Sequence, residues 1–210
     1  MIKAVIFDLD GVIVSTDEFH YLAWKQLADK EGIAFDKVIN NQLRGVSRSE
    51  SLEIILKRSI KAYNEDEKKT IQELKNKIYL DFLENLSPKD LLPNSLEIIE
   101  YLKDKGIKVA IGSSSRNTKK ILEQLDIINI FDAIADGNDI TKSKPNPEVF
   151  LVASQKLGIL PDECAVVEDA MSGIEAANAA GMLAIAINDA TKSKYADYKI
   201  YNLEDIKKII

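Results

Sequence analysis

Four polar segments of the sequence carry residue types that suit phosphoryl transfer. Asp8 and Asp10 are carboxylates spaced by one residue, and such a pair can divide the work of a nucleophile and a general acid/base. Glu168 and Asp169 add carboxylate oxygens, the ligands that a hard cation such as Mg²⁺ prefers. These acidic pairs therefore predict a nucleophile beside a metal site.

The other two segments supply groups for holding a phosphate. Lys144 lies in a Lys-Ser-Lys-Pro segment and can neutralise negative charge, while Ser113 opens a polar stretch that ends at Asn117. Phosphoryl transfer needs an in-line nucleophile, a metal and donors around three equatorial oxygens. The four segments together contain each of these parts.

Each segment alone has a simpler structural explanation. An Asp-x-Asp sequence at a strand end is often a turn, and acids are common at helix N-termini. Lys144-Pro145 can be plain surface, and 113–117 can be a capped loop. All four in this order, each after an apolar run, are much harder to explain as caps, so the set favours chemistry.

The segments follow elements that would bring them together. Short apolar runs rich in branched residues predict buried strands, namely Lys3–Asp8, Lys108–Gly112, a segment ending at Ala135, Cys164–Glu168 and Leu183–Ile187. Amphipathic helices are predicted between them, over Pro93–Lys105, Asn117–Leu125, Pro147–Leu157 and Ser172–Ala180. This alternation is typical of an α/β fold with a doubly wound, Rossmann-like parallel sheet, whose sites form at the carboxyl ends of strands.

Residues 16–88 break this alternation. They contain helical patterns only, over Asp17–Glu31, Ser47–Ser59 and Glu65–Asn85. We therefore predict an all-helical cap domain, residues 16–88, inserted into a core domain of residues 1–15 and 89–210. Thr16 and Pro88 would mark its two hinges.

Composition excludes several classes of protein. The 210 residues are 46% hydrophobic with a net charge of −6, which suits a folded core and argues against nucleic-acid binding through a bulk basic surface. One cysteine excludes an intrachain disulfide, and one histidine, His20, excludes a His-Cys zinc cluster. The acidic Asp8 comes before any signal-peptide core could form, and the apolar runs are too short to span a bilayer. We expect a cytoplasmic monomer that binds neither membrane nor nucleic acid.

The four segments resemble the motifs of the haloacid-dehalogenase-like phosphotransferases, and the likeness covers essentially the whole chain, including a helical cap. The resemblance implies that Asp8 becomes an aspartyl phosphate, that Asp10 is the general acid/base, and that Ser113 and Lys144 hold the transferring phosphate. It also implies that Mg²⁺ is bound by Asp8, the Asp10 backbone carbonyl and Asp169, with help from Glu168.

Within this superfamily, the cap is similar to that of the β-phosphoglucomutase family. The likeness is carried by Asp10–Ile13, Thr16, His20, Trp24, Leu43–Arg48 and Ser113–Asn117. It implies interconversion of β-glucose 1-phosphate and glucose 6-phosphate through the 1,6-bisphosphate, with the cap closing over the substrate. It assigns catalytic roles near Asp10 to Thr16 and His20. It assigns substrate contacts to Trp24, Arg44, Gly45, Val46, Ser47, Arg48, Lys75, Asn76, Ser115, Arg116 and Asn117.

A mutase needs two anion sites, because a bisphosphate has two charged ends. Lys144 with the metal would serve one end, and Arg48 with Arg116 could serve the other through bidentate guanidinium contacts. The family usually carries lysine where this chain has Arg44 and Arg116, so charge is retained while hydrogen-bond geometry changes.

Alternatives stay open at this point. By position alone, His20 is a packed or surface histidine, Trp24 is a core residue and Thr16 is a helix N-cap. The alternative function is a phosphatase or pyrophosphatase that passes the phosphoryl group to water. A phospho-acceptor signalling domain also uses an aspartate, a metal and a lysine, but it has no use for Asp10 or a cap, and a non-catalytic binding module would not need Asp8.

Overall fold

The computed structural model describes residues 1–43 and 46–210. Two compact units are present, one comprising residues 1–15 and 87–210 and the other residues 16–86. The first is the core unit and the second is the cap unit. No helix among the described residues has the length and apolar character needed to cross a membrane.

The core unit is built on a six-stranded sheet in the order β3-β2-β1-β4-β5-β6, with every neighbouring pair parallel. The strands are β1 Ala4–Phe7, β2 Lys108–Gly112, β3 Ala133–Ala135, β4 Cys164–Glu168, β5 Leu183–Ala186 and β6 Tyr198–Lys199. The central strands β1 and β4 are buried along their whole length, as expected for apolar runs covered on both faces. The predicted α/β class with a doubly wound parallel sheet is confirmed.

Helices cover the sheet where amphipathic segments were predicted. They are α5 Ser95–Asp104, α6 Thr118–Gln124, α7 Glu148–Leu157 and α8 Met171–Ala179, with short 3₁₀ helices at Pro88–Asp90, Ile128–Ile130, Pro161–Glu163, Asn188–Lys192 and Leu203–Lys208. Gly106 and Gly181 follow α5 and α8 with positive φ, the conformation that ends a helix at lowest cost with glycine. The strand β3 ends at Ala135, where the sequence predicted one of the polar strand ends. The two-residue strand β6 was not predicted, because so short an element carries no periodic signal.

The described residues of the cap unit form four helices, α1 Asp17–Lys30, α2 Lys37–Asn41, α3 Arg48–Leu56 and α4 Glu65–Leu83. Reciprocal capping boxes begin two of them, formed by Ser47 with Glu50 in α3 and by the matching pair at the start of α4. The helix α2 was not predicted, since five residues are too few to show a helical period. An apolar cluster that includes Trp24, Leu27 and Leu52 packs the cap helices together.

Candidate active site

Three predicted site residues meet at the carboxyl edge of the sheet. The register that pairs Phe7 with Val167 brings the ends of β1 and β4 side by side, so Asp8 and Glu168 become neighbours. Lys144 reaches both, since its Nζ donates to Asp8 Oδ1 at 2.5 Å and to Glu168 Oε1 at 2.7 Å. Each of the three residues is at least 90% buried, with 7%, 1% and 2% exposure for Asp8, Glu168 and Lys144.

Burial sets the protonation of this cluster. The pKa of Asp8 is raised to about 7, chiefly because burial penalises its charged form, and the charges of Glu168 and Asp10 add to the rise against the opposing effect of Lys144. Burial would lower the pKa of Lys144, but the carboxylates of Asp8 and Glu168 outweigh it and raise the pKa. The lysine is therefore held as a cation, while Asp8 gains and loses its proton near neutral pH.

Two glycines make room for the acidic side chains. A Cβ added at Gly173, in the first turn of α8, would lie 1.9 Å from Glu168 Oε1, so a side chain there would displace the carboxylate. A Cβ at Gly11 would lie 2.2 Å from Asp169 Oδ2, and Gly11 also has a φ of +83°, which favours glycine. Gly11 lies within the Asp10–Ile13 motif, whereas Gly173 was not predicted, because a glycine in the first turn of a helix carries no comparable signal.

A cation fits the acidic cluster. Carboxylate oxygens of Asp8, Glu168 and Asp169 lie within 4.8 Å of one another, and all three residues are buried. Lys144 bonds to two of these three carboxylates. The cluster offers an all-oxygen donor set, which is the one that a hard divalent ion prefers.

The segment after β2 forms a tight loop beside this edge. Ser113 is 4% exposed; its backbone N–H donates to Ala135 O at 3.1 Å, and its Oγ accepts from Ser115 N at 3.2 Å. Ser115 Oγ in turn accepts from Asn117 N at 3.2 Å. Arg116 lies in the same loop with an exposed side chain whose Nε donates to Gly137 O at 3.3 Å. The loop thus presents hydroxyl and guanidinium groups at successive positions.

In the cap unit, a lysine lies against the single histidine. Lys75 Nζ donates to His20 Nδ1 at 2.8 Å, and Lys75 is only 2% exposed. Its ammonium group lies 5.2 Å from the Trp24 ring centroid and 4.5 Å from that of Tyr79, distances at which aromatic faces attract cations. Because an ammonium group can only donate, His20 Nδ1 accepts and its proton is on Nε2.

Burial and two cations keep His20 neutral. Its pKa lies well below the usual value, first because burial disfavours imidazolium, and then because Lys75 and Arg48 repel a further positive charge. The first turn of α3 contributes Arg48, whose Nη2 donates to Asn76 Oδ1 on α4 at 2.7 Å. His20, Arg48, Lys75 and Asn76, all predicted from the sequence, therefore form one cationic cluster, called the cap cluster.

Not every predicted cap residue joins this cluster. Val46 precedes α3, and the Ser47 side chain is used to cap that helix. Arg44 and Gly45, which were predicted to contact substrate, lie outside the described residues. Thr16 precedes α1, but its side chain makes no cap hydrogen bond there; its Oγ1 instead hydrogen-bonds Tyr79 Oη at 2.9 Å. Thr16 therefore occupies the N-cap position of α1 without a side-chain cap, and its hydrogen bond to Tyr79 was not predicted.

Comparison with known protein families identifies the family of this chain. The family of haloacid dehalogenase-like hydrolases matches residues 2–181. The chain belongs to this family. The resemblance predicted from four motifs is thereby confirmed.

Individual relatives show which members of the family the chain resembles. The chain is 43% identical to a β-phosphoglucomutase of Bacillus subtilis, over 97% of this chain and 91% of the relative. It is 32% identical to a phosphorylated carbohydrates phosphatase of Thermotoga maritima, over 86% of this chain and 82% of the relative. A crystal structure of β-phosphoglucomutase from Clostridium difficile has a TM-score of 0.93 and 36% identity, covering 99% of this chain and 96% of that one.

Proposed function

We propose that the protein is a Mg²⁺-dependent β-phosphoglucomutase, an isomerase that interconverts β-D-glucose 1-phosphate and glucose 6-phosphate through β-glucose 1,6-bisphosphate. The observation that carries the proposal is the buried contact of Asp8 with Lys144 beside Glu168. It occurs in a chain 43% identical to the B. subtilis β-phosphoglucomutase. The site supports the phosphotransferase class, and the relative supports the choice of sugar.

Asp8 and Asp10 would carry the chemistry. An ionised oxygen of Asp8 attacks phosphorus and forms the aspartyl phosphate, while the bond from phosphorus to the sugar oxygen breaks and Asp10 gives that oxygen a proton. When the donor is the 1-phosphate of the bisphosphate, this half releases glucose 6-phosphate and leaves the phosphoryl group on Asp8. In the second half, that group passes to the C6 hydroxyl of a β-glucose 1-phosphate, and Asp10 takes the hydroxyl proton. The bisphosphate is formed again, Asp8 is restored, and one sugar phosphate has been converted into the other.

The remaining core residues would hold the transferring group. Lys144 already lies against Asp8 and would offset charge on the phosphoryl oxygens, and Ser113 would donate a hydrogen bond to one of them. Asp8, the Asp10 backbone carbonyl and Asp169 would hold Mg²⁺, with Glu168 assisting. When bound, Mg²⁺ supplies further stabilisation of charge on the phosphoryl oxygens.

Cap residues and the loop after β2 would recognise the sugar and its second phosphate. Arg48 and Arg116 provide guanidinium groups, which match a phosphate bidentately, and Arg44 would add a third. The proposal keeps Trp24, Gly45, Val46, Ser47, Lys75, Asn76, Ser115 and Asn117 as further substrate contacts, and Thr16 and His20 as groups acting near Asp10.

A sugar phosphatase is the second candidate. It would use the same Asp8 intermediate with water as the acceptor, and the phosphorylated carbohydrates phosphatase of T. maritima, at 32% identity, gives it support. The mutase is favoured because the chain is 43% identical to the B. subtilis β-phosphoglucomutase. In addition, Arg48 and Lys75 place two positively charged groups in the cap, and such groups suit a second phosphate, which a monophosphate ester hydrolysed by water does not have.

A product assay separates the two. The protein is incubated with Mg²⁺, β-glucose 1-phosphate and a trace of the bisphosphate, and glucose 6-phosphate is measured against free phosphate. We expect glucose 6-phosphate to dominate, and an Asp8→Asn preparation to show neither product. Mostly free phosphate would establish the phosphatase instead, and no turnover of any phosphate ester would refute both. The cytoplasmic location and the monomeric state remain predictions.

A further inference from the structure

The loop after β3 is bonded to the loop after β2 around one residue, Arg116. Gly137 N donates to Ser115 O at 3.0 Å, and Asn138 Nδ2 donates to Arg116 O at 3.0 Å. In the other direction, Arg116 Nε donates to Gly137 O at 3.3 Å. Both the backbone and the side chain of Arg116 are therefore held by the same two residues.

This close approach requires glycine at position 137. A Cβ there would lie 2.4 Å from Ser114 O and 2.9 Å from Arg116 N. Both neighbours are backbone atoms of the loop, so neither can rotate away as the end of a flexible side chain could. Any side chain at 137 would therefore push the Arg116 loop away from the turn.

The turn is itself well fixed. Asp136 Oδ1 accepts from Asn138 N at 2.8 Å, and Asp139 Oδ2 accepts from Asp136 N at 2.9 Å. Lys156, on α7, donates to Asp139 Oδ2 at 2.7 Å and to Ile134 O at 2.8 Å. Residues 136–139 are thus anchored to a core helix, and they offer Arg116 a stable support.

The use of Nε has a consequence for the guanidinium group. Its five N–H donors share one plane, so a bond from Nε restricts that plane and leaves the terminal nitrogens as a forked donor pair. Arg116 forms no ion pair with any residue in the described ranges 1–43 and 46–210. A forked, unneutralised donor pair at the carboxyl edge of the sheet matches two oxygens of a phosphate.

We infer that Gly137 and Asn138 are positioning residues that orient Arg116 toward the distal phosphate of a phosphorylated sugar. The inference rests on the proposed function, because that proposal assigns Arg116 to the second phosphate. Neither residue touches the substrate in this account. They act through Arg116, and they make its geometry one that a lysine, which lacks Nε–H, cannot reproduce.

Two variants test the inference by different routes. Asn138→Ala removes the donor to Arg116 O, and Arg116→Lys keeps the charge but removes the Nε bond. We expect each to raise the KM for β-glucose 1,6-bisphosphate about tenfold, with kcat changed less than about twofold, in line with loss of an oriented charged hydrogen bond. The effect on hydrolysis of p-nitrophenyl phosphate, which has no second phosphate, should be several-fold smaller. Asn129→Ala, at an exposed asparagine of a 3₁₀ helix, is the matched control.

A double-mutant cycle separates positioning from a structural role. If Asn138 acts through Arg116, Asn138→Ala should have no further effect on KM in an Arg116→Ala background. Full additivity, or equal losses toward the bisphosphate and p-nitrophenyl phosphate in folded variants, would overturn the inference. If Asn138→Ala fails to fold, Arg116→Lys still tests the inference, because its KM for the bisphosphate can be compared with its KM for p-nitrophenyl phosphate.

Failure of the proposed function would look different. Wild-type protein that releases only free phosphate from the sugar phosphate refutes the mutase, but its KM values for a sugar bisphosphate and for p-nitrophenyl phosphate remain measurable. If Asn138→Ala then raised the KM for the bisphosphate and left the KM for p-nitrophenyl phosphate unchanged, the result would still support the positioning of Arg116. If the protein is an active mutase and Asn138→Ala leaves the ratio of these two KM values unchanged, the inference is contradicted while the mutase function is supported.

Discussion

Two buried lysines have opposite surroundings in this molecule. In the core unit, Lys144 lies between the carboxylates of Asp8 and Glu168. In the cap unit, Lys75 lies against the neutral imidazole of His20 and over two aromatic rings. Both lysines are 2% exposed, so burial alone does not distinguish them. The difference is the sign of the charge around them.

That difference indicates which kind of ligand suits each cluster. The core cluster of Asp8, Glu168, Asp169 and Lys144 has three carboxylates and one ammonium group, and its oxygen donors suit a divalent cation. The cap cluster has Lys75 and Arg48 near a histidine that they keep uncharged, and these positive groups suit an anion. We therefore expect a metal ion at the core cluster and a phosphate at the cap cluster.

The largest expected effect comes from removing the nucleophile of the core cluster. Asp8→Asn keeps the shape of the side chain and an oxygen for Lys144, but an amide cannot form an aspartyl phosphate. We expect mutase activity to fall by at least about a thousandfold, with the far-ultraviolet circular dichroism spectrum unchanged. Asp81→Asn, at an exposed aspartate of α4, should retain full activity.

Intact-protein mass spectrometry gives a second measurement of the same variant. Wild-type protein should gain the mass of one phosphoryl group on exposure to the bisphosphate, and Asp8→Asn should not. Phosphorylation of the variant, or substantial activity in it, would remove Asp8 from its assigned role.

The cap cluster should be sensitive in a narrower way. Arg48→Ala removes a guanidinium group bonded to Asn76, and we expect kcat/KM for the sugar phosphate to fall about a hundredfold, as for loss of a charged hydrogen bond to phosphate. Hydrolysis of p-nitrophenyl phosphate should fall much less. The matched control is Arg58→Ala, since Arg58 is exposed on the same segment of the cap. Equal losses toward both substrates would argue against an anion site in the cap.

A third prediction concerns the cation of the core cluster. In the metal-free protein the pKa of Asp8 is about 7, so at pH 6 most molecules carry a proton that the metal must displace. At pH 8 most molecules have already lost the proton of Asp8. We therefore expect Mg²⁺ to bind about tenfold more weakly at pH 6 than at pH 8, measured by isothermal titration calorimetry. The difference should largely disappear in Asp8→Asn, and an affinity equal at both pH values in the wild type would contradict the assignment.

The same contrast explains how far the sequence could predict the site. The core cluster could be predicted because Asp8 follows β1 and Glu168 ends β4, and the carboxyl ends of parallel strands meet at one edge of a sheet. The contact between Lys75 and His20 could not be predicted in this way. It depends on how α1 and α4 pack, and 55 positions separate the two residues in the chain.

Residues that act through close backbone approach were the hardest to predict. Gly137 and Asn138 look like an ordinary turn signal in the sequence. The glycine is necessary because a Cβ at position 137 would lie 2.4 Å from Ser114 O. Asn188 was missed for a similar reason: its Nδ2 donates to Gly11 O at 3.0 Å across 177 positions. Such contacts are set by tertiary packing, and a single sequence carries no local pattern for them.

The smallest expected effect probes the cap cluster without any substrate. Lys75 and burial both lower the pKa of His20, so replacing the lysine by an uncharged side chain should remove one cause and leave the other. In Lys75→Met we therefore expect the pKa of His20 to rise but to stay below its usual value. The sign follows because imidazolium is no longer repelled by the ammonium group while its burial persists.

The chain offers a clean measurement of that change, because His20 is its only histidine. A single imidazole resonance, followed by NMR from pH 4 to 8, reports the titration without assignment. Lys77→Met, at an exposed lysine two positions along the same helix, should leave the curve where the wild type has it. If Lys75→Met lowered the pKa or left it unchanged, Lys75 would not act on His20 as a like charge. The contrast between an acid-rich core cluster and a cationic cap cluster would then fail on the cap side.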